Sequence, residues 1–473
     1  MSTGQAIFAT LLAYYIVLLL IGVWASRRTH DTLDFFLGGR RLGPVVASIS
    51  ASASSSSAWT LLGVSGAAYA WGMPALWLFP ATLLGFIVNW VWIAPRLMEL
   101  SRRENAVTLT DVIAGPRNEP LRPVIVGLAS FIILFSFLFY IAAQFQAAGH
   151  GFVSAFEISM TASVLIGAGI IIAYTLMGGF WAASVTDVLQ GLLMAASAVI
   201  LPVCALIAVG GFDGLAQTLH EASALADAPY PPPYTLIATT GFVLGTLGIG
   251  LGYPGQPHVV NRFMALGSRR SLERGRVIAI AWAMVVYSGM LLLGLCGRAL
   301  YGSIADAEQV FFEVANRLLP PVWAGIMLAA VLSAIMSTAD SQLLVAGSSV
   351  THDWRHVESD SRRALMLSRV VVFGVSIVAV LLALYAPQAI FSRVLFAWHA
   401  IGSAFGPLLV LRLVGFEIRP AATLASLAVG FGLTVILHAF PDTPGDYLER
   451  LLPLILAFLI AWFGRMGAGR SAQ

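Results

Sequence analysis

Charged side chains make up only 10% of these 473 residues, whereas soluble domains carry about 25%. With 59% hydrophobic residues as well, the chain cannot keep its elements in water. Lysine is missing altogether, and all 26 basic residues are Arg. A basic soluble face of the kind that grips nucleic acid is lacking, and no nucleic-acid partner is expected. Cysteine is nearly absent. Cys204 and Cys296 both fall in apolar stretches; a disulfide and a metal site are open readings, and two separate core thiols are favoured. P-loops, dinucleotide fingerprints and metalloprotease helices are also lacking, which leaves ATP-driven transport and cofactor chemistry without support. Serines are plentiful but no paired base accompanies them, so an enzyme is not expected. Finally, the polar stretches 98–121, 210–233, 300–320 and 351–363 are too short for a separate soluble domain. Function must lie within a membrane bundle.

What the chain does have is long apolar runs. A spanning helix needs about 20 mostly apolar residues. Such runs read at 5–26, 44–70, 74–97, 122–149, 158–178, 186–209, 234–265, 273–299, 321–350, 364–386, 389–413, 419–439 and 449–466, thirteen in all. No positive charge precedes the first, and Arg27 and Arg28 follow it, the reverse of a secretory signal. This predicts an outside N-terminus and a cytoplasmic C-terminus. Of the 26 Arg, only Arg298, Arg317, Arg393 and Arg450 fall at outer ends, and the other 22 fall towards the cytoplasm. That asymmetry is what retention of positive charge inside demands.

Three runs are poor membrane helices. Between Ser48 and Ser57, seven of ten residues are Ser. Close packing of small side chains is one reading; a locally unwound helix whose carbonyls and hydroxyls line a cavity is the other. From Gly248 to His258, four Gly and two Pro in eleven residues cannot sustain a continuous helix. If the first run is peripheral, these two interruptions open successive five-helix blocks, the pattern of an inverted-repeat transporter with a midplane site. The third run holds Ser337, Asp340 and Ser341 at i, i+3 and i+4, hence on one helical face. A carboxylate at that depth costs roughly 2.5–3.5 kcal/mol, and hard oxygens on one face suit an alkali cation. Asp187 opens its run and reads equally as a site residue or a cytoplasmic surface charge. His258 and His399 lie in spans without ligand spacing and are expected to pack.

The assembled motifs resemble the sodium/solute symporter family, and its sodium/proline symporter branch most closely. They are Phe36-Leu-Gly-Gly-Arg-Arg-Leu-Gly-Pro44, Gly178-Gly-Phe180 with Thr186-Asp187, Gly250-Leu-Gly-Tyr253 with Gly255-Gln-Pro-His258 and Arg262-Phe-Met264, and Met336-Ser-Thr338 with Gln342-Leu-Leu344. The resemblance covers about residues 5–415. It implies an all-α polytopic membrane protein of thirteen helices, with a LeuT-type five-plus-five inverted repeat in helices 2–11 and breaks in helices 2 and 7. The corresponding divisions are 1–43 (peripheral first helix and cytoplasmic loop), 44–209 (first repeat), 210–233 (extracellular loop), 234–413 (second repeat) and 414–473 (two helices and a cytoplasmic tail).

The resemblance further implies a sodium site at Ala53, Ser56 and Ala334 through carbonyls, with the hydroxyls of Ser337 and Thr338. A second ion site, as in the family's sialic-acid branch, falls on Asp187, Ser337, Asp340 and Ser341. The solute pocket falls on Ser57, Trp59, Tyr140, Gln144, Tyr253, Pro257 and Phe405, together with Ser55 and Ile249. At these last two the chain departs from the family: proline symporters carry Asp where Ser55 stands and Trp where Ile249 stands. Asp340 is expected to replace the charge missing at position 55. The expected function is therefore sodium-coupled import of a small solute by alternating access, proline or another small amino acid first. Proton coupling, a monocarboxylate substrate, or a sensor module for a separate kinase are the alternatives. Na+ is the expected coupling ion, with no cofactor and no transition metal. The bacterial inner membrane is the expected location, and a monomer in the bilayer the functional unit.

Overall fold

A computed structural model describes residues 3–26, 37–116, 118–177, 180–225, 235–354, 362–386 and 388–466. Gly178 and Gly179 of one motif, Phe36 of another, and the tail from 467 lie outside the described residues.

The chain is helical throughout. Helix α1 is Thr3–Ser26, followed by α2 (Pro44–Ala58) and α3 (Val64–Trp71), joined by a widened turn at Trp59–Gly63. Then come α4 (Leu78–Ile87), α5 (Ala94–Arg103), the short α6 (Leu109–Ala114) and the long α7 (Arg122–Phe156). Helices α8 (Met160–Met177), α9 (Phe180–Ala208) and α10 (Gly211–Leu225) complete the first half. The second half has α11 (Leu236–Leu251), α12 (Pro257–Ala265), α13 (Arg269–Leu300), α14 (Val310–Leu318) and α15 (Pro321–Ser348). It continues with α16 (Arg362–Tyr385), α17 (Ile390–Val414), α18 (Pro420–His438) and α19 (Tyr447–Phe463).

Among the described residues, ten helices are long and apolar enough to cross a membrane. Burial sorts them: 94% of the spanning stretch of α17 is buried, against 28% for α1 and for α18. The outer face of α1 shows Phe8, Leu12, Ile16 and Leu20, spaced one turn apart and exposed. Such a stripe is what a lipid-facing helix presents. At the centre, α2 and α15 pack on each other and on α9.

Two local features shape the middle of this bundle. Ser57 has φ 58 and ψ −174 inside the α2 run, a positive φ that L side chains rarely adopt. In the other half, α11 stops at Leu251, Tyr253–Gly255 makes one tight turn, and α12 resumes at Pro257. Here the backbone comes unusually close to α17: a Cβ built on Gly402 would sit 2.8 Å from the Gly252 Cα. Only glycine allows that approach.

Two departures from the sequence reading change its meaning. The run expected at 186–209 begins at Phe180, which moves Asp187 two turns inside α9 and buries it completely. A surface charge is thereby ruled out. The stretch expected as a loop at 210–233 contains α10, whose Phe212, Leu215 and Leu219 fall on one helical side. Cys204 and Cys296 are free thiols, and His258 and His399 are fully buried.

Candidate functional site

The serine run gives α2 a polar face inside the bundle, and Ala47 to Ala58 are all buried. Membrane helices without a water-driven hydrophobic force associate through small side chains and interhelical hydrogen bonds, and α2 uses both. Thr338 of α15 donates to the carbonyl oxygens of Ser54 at 3.1 Å and Ala53 at 3.5 Å. Ser54 in turn donates to the carbonyl of Ser337 at 3.0 Å, with its hydroxyl also 3.0 Å from Ser341 Oγ. Ser337 caps its own turn, donating to the carbonyl of Ala334 at 3.2 Å. The Ser56 carbonyl accepts from Thr60 Oγ1 at 2.7 Å. The α2–α15 seam therefore gathers many hard oxygen atoms in a dry setting.

One turn further along lies a charged cluster. Asp187 Oδ2 accepts from Ser50 at 2.6 Å and from Ser54 at 3.4 Å, and pairs with Arg262 Nη2 at 3.2 Å. Arg262 also donates from Nε to Ser50 at 3.0 Å, from Nη2 to Ser341 at 2.5 Å, and from Nη1 to the His258 carbonyl. Its guanidinium centre stands 5.2 Å from the Phe180 ring centre. Asp340 lies alongside, and its Oδ1 accepts from Ser341 at 3.2 Å. Asp187 Oδ1 and Asp340 Oδ2 are buried with no hydrogen-bond partner. Two buried carboxylates thus stand in one cluster with a single guanidinium, which pairs with Asp187. A cavity reaches this cluster, lined by Thr108, Phe180, Asn261, Arg262, Ser341 and Ser348 among others.

The helix interruptions meet a second group of side chains. Ser57 Oγ accepts from the Trp59 backbone N–H at 3.1 Å and from Tyr140 OH at 3.3 Å. Gln144 Oε1 accepts from the Ala58 N–H at 3.0 Å, while its Nε2 is buried without a partner. Tyr253 and Tyr287 join hydroxyls at 3.0 Å, and Thr60 donates to Tyr287 at 3.3 Å. The Trp398 ring stands edge-on to Tyr253 with centroids 4.7 Å apart, and its Nε1 donates to the Ile249 carbonyl at 3.2 Å. Trp59 lies 5.6 Å from Phe391 and 6.3 Å from Tyr287, its indole N–H unpartnered.

The expected residues thus distribute unevenly. Ala53, Ser337 and Thr338 meet across the α2–α15 seam, with Ser56 and Ala334 on the same two helices. Asp187, Asp340 and Ser341 come together around Arg262. Ser57, Tyr140 and Gln144 gather at the α2 interruption. Ser55 turns its hydroxyl back to the Ser52 carbonyl at 2.9 Å. Pro257 opens α12, Ile249 sits in the last turn of α11, and Phe405 is fully buried on α17. Arg262, Ser50, Tyr287 and Trp398 were not among the expected residues. Arg262 alone left a signal: an Arg inside a predicted span asks for a carboxylate.

The fold has solved counterparts. It superposes on a Na+-coupled sialic acid symporter, solved in a substrate-bound outward-open state, with a TM-score of 0.79 over 98% of each chain at 18% identity. The molecule is thus of the LeuT-type transporter fold class. Sequence narrows this further. The profile of the sodium:solute symporter family matches residues 35–430. The high-affinity proline transporter of Bacillus subtilis is 34% identical over 462 residues, covering 94% of each chain. The sodium/proline symporter of Escherichia coli is 34% identical over 449 residues, covering 92% of this chain and 88% of its own. The chain belongs to the sodium:solute symporter family and is a multi-pass membrane transporter, with Na+ as its coupling ion.

Proposed function

We propose that this protein imports proline together with Na+ by alternating access. The observation that carries the reading is the pairing of two helix interruptions with one oxygen-rich seam. Ser57 and the Gly252–Gln256 turn break the helical run in opposite halves of the bundle, and the α2–α15 hydroxyls and carbonyls lie beside the first. Interrupted helices free both amides and carbonyls, which suits a zwitterion. The sequence relatives are proline transporters by name, and that points to proline as the first substrate.

In this reading Ala53, Ser56, Ala334, Ser337 and Thr338 hold Na+. Solute sits among Ser57, Trp59, Tyr140, Gln144, Tyr253 and Pro257, with Ser55, Ile249 and Phe405 shaping the walls. Asp187, Ser337, Asp340 and Ser341 form a second ion site. Its charge balance favours a cation, because Arg262 neutralises only one of two buried carboxylates. The same observation supports a second reading, in which a proton rides on Asp340 instead.

Beside the ten long spans, we take the interrupted α2–α3 pair and the shorter α8 and α19 as crossings too, a reading of thirteen spans. We take α2–α9 (44–209) and α11–α17 (234–413) as the inverted repeats, flanked by 1–43, the linker 210–233 and 414–473. The N-terminus lies outside and the C-terminus in the cytoplasm of a bacterial inner membrane, and one chain suffices for transport. Coupling requires that ion and solute each raise the other's affinity by the same factor. Titrating proline into the purified protein in Na+ and in choline tests this. Tighter proline binding in Na+, matched by tighter Na+ binding in proline, supports symport; equal affinities in both salts refute it.

A further inference from the structure

Away from the transport site, Asp111, His352 and Asp353 bring one ligand atom each to within 4.8 Å of one another, the one such convergence among the described residues. Asp111 belongs to α6 and caps it: its Oδ2 accepts from the Val107 and Thr108 backbone N–H groups at 3.1 and 3.4 Å. Its Oδ1 is taken by Arg122 Nη2 at 2.8 Å. His352 Nε2 stands 3.3 Å from Asp111 Oδ2. Asp353 accepts from Thr108 Oγ1 at 2.8 Å through Oδ1. Its Oδ2 is buried with no hydrogen-bond partner, and the residue is only 4% exposed.

We propose that these three side chains form a binding site for a divalent cation of the zinc class. Two carboxylates bring two negative charges, and Arg122 offsets one from the far side of Asp111. Carboxylates outnumber Arg here, and the buried Asp353 Oδ2 has no hydrogen-bond partner, which suits a cation. The donor set chooses which: carboxylates alone suit Mg2+ or Ca2+, whereas an imidazole beside them favours Zn2+. Zinc bonds of about 2.0–2.2 Å place tetrahedral ligands about 3.4 Å apart, so the three atoms must draw in by roughly an ångström. His352 is part-exposed, with 19% of its side chain accessible, and its Nε2 exchanges Asp111 for the metal on binding. Water supplies the fourth position. Thr108 both holds Asp353 and lines the cavity that leads to Arg262, so a bound cation ties α6 to the wide turn Ser349–Trp354 that follows α15, at the cavity's rim. Because the ligands must be deprotonated, binding weakens as pH falls.

The test uses the full chain in detergent, stripped of metal and titrated with Zn2+ and, for its visible spectrum, with Co2+. The expected result is one equivalent of Zn2+ that millimolar Mg2+ does not displace. His352→Gln and Asp353→Asn should each weaken it by roughly tenfold or more, and the tetrahedral Co2+ bands should vanish in His352→Gln. Unchanged melting temperature of metal-free His352→Gln guards against a folding artefact. Failure to saturate with Zn2+, displacement by Mg2+, or unchanged affinity in both variants would overturn the proposal.

Discussion

Arg262 is the side chain on which the buried charge of this bundle depends. It pairs with Asp187 at 3.2 Å where both side chains are essentially sealed from solvent. Taking away one partner of such a pair leaves a buried charge uncompensated, at a cost of about 3–5 kcal/mol. Arg262→Ala should therefore lower the melting temperature of the detergent-purified protein sharply. Arg262→Lys keeps the charge but loses the fork that reaches Ser50, Ser341 and Asp187 together, and should fall between. Asp340 makes a different prediction. Under sodium coupling with the second ion site, Asp340→Asn should weaken the dependence of uptake on Na+ while leaving pH dependence alone. Under the proton reading it should abolish pH-driven uptake. Initial uptake rates across a matrix of Na+ concentration and pH separate the two. The pairing itself could not be read from the sequence, because 75 residues separate Asp187 from Arg262; only the cost of Asp340 inside its run was visible.

At the scale of elements, the start of α17 is fastened by a carboxylate from a loop. Glu308 accepts from the Ile390 and Phe391 backbone N–H groups at 2.8 and 2.6 Å. These are free donors of a helix N-terminus, where negative charge is favoured. Burial pushes the Glu308 carboxyl up from 4.5 to about 7, although the two amides pull it down. A carboxyl raised in the fold stabilises it below its ordinary range and loses that contribution as pH rises through about 7. The melting temperature should thus decline as pH rises from about 4.5 to about 7, and Glu308→Gln should flatten the decline. An identical slope in the variant would assign the titration elsewhere. Phe391 also touches Trp59 and Trp71, so this fastening lies next to the proposed solute pocket. Nothing in the sequence marked Glu308, since a loop carboxylate beside other loop acids reads as solvated. The serine run, by contrast, was legible as an anomaly, and so were the glycines and prolines from Gly248. What composition could not supply was the particular residue, Ser57, at which α2 leaves helical geometry, because a positive φ at Ser follows from tertiary contacts.

For the whole molecule, the apolar runs carried the helical membrane architecture, ten of whose helices are long and apolar enough to cross among the described residues. The four Arg that the sequence reading put at outer ends are each engaged in the fold. Arg298 donates to the Tyr69 and Ala70 carbonyls, Arg317 pairs with Glu313, Arg393 bonds Gln146, and Arg450 bonds Asp446. Sequence also read α8 and α19 as spans; Met160–Leu176 is short for a crossing helix and α19 has 17 residues, so their crossing belongs to the proposed reading. It missed α10, because an amphipathic helix flanked by polar residues looks like a loop when charge is the only guide. Uptake of labelled proline into proteoliposomes tests the central claim most directly, with an inward Na+ gradient, an inward H+ gradient, or neither. The account predicts accumulation under the Na+ gradient alone, abolished when Na+ is equal on both sides. Accumulation under the H+ gradient without Na+, or none under either, would contradict it.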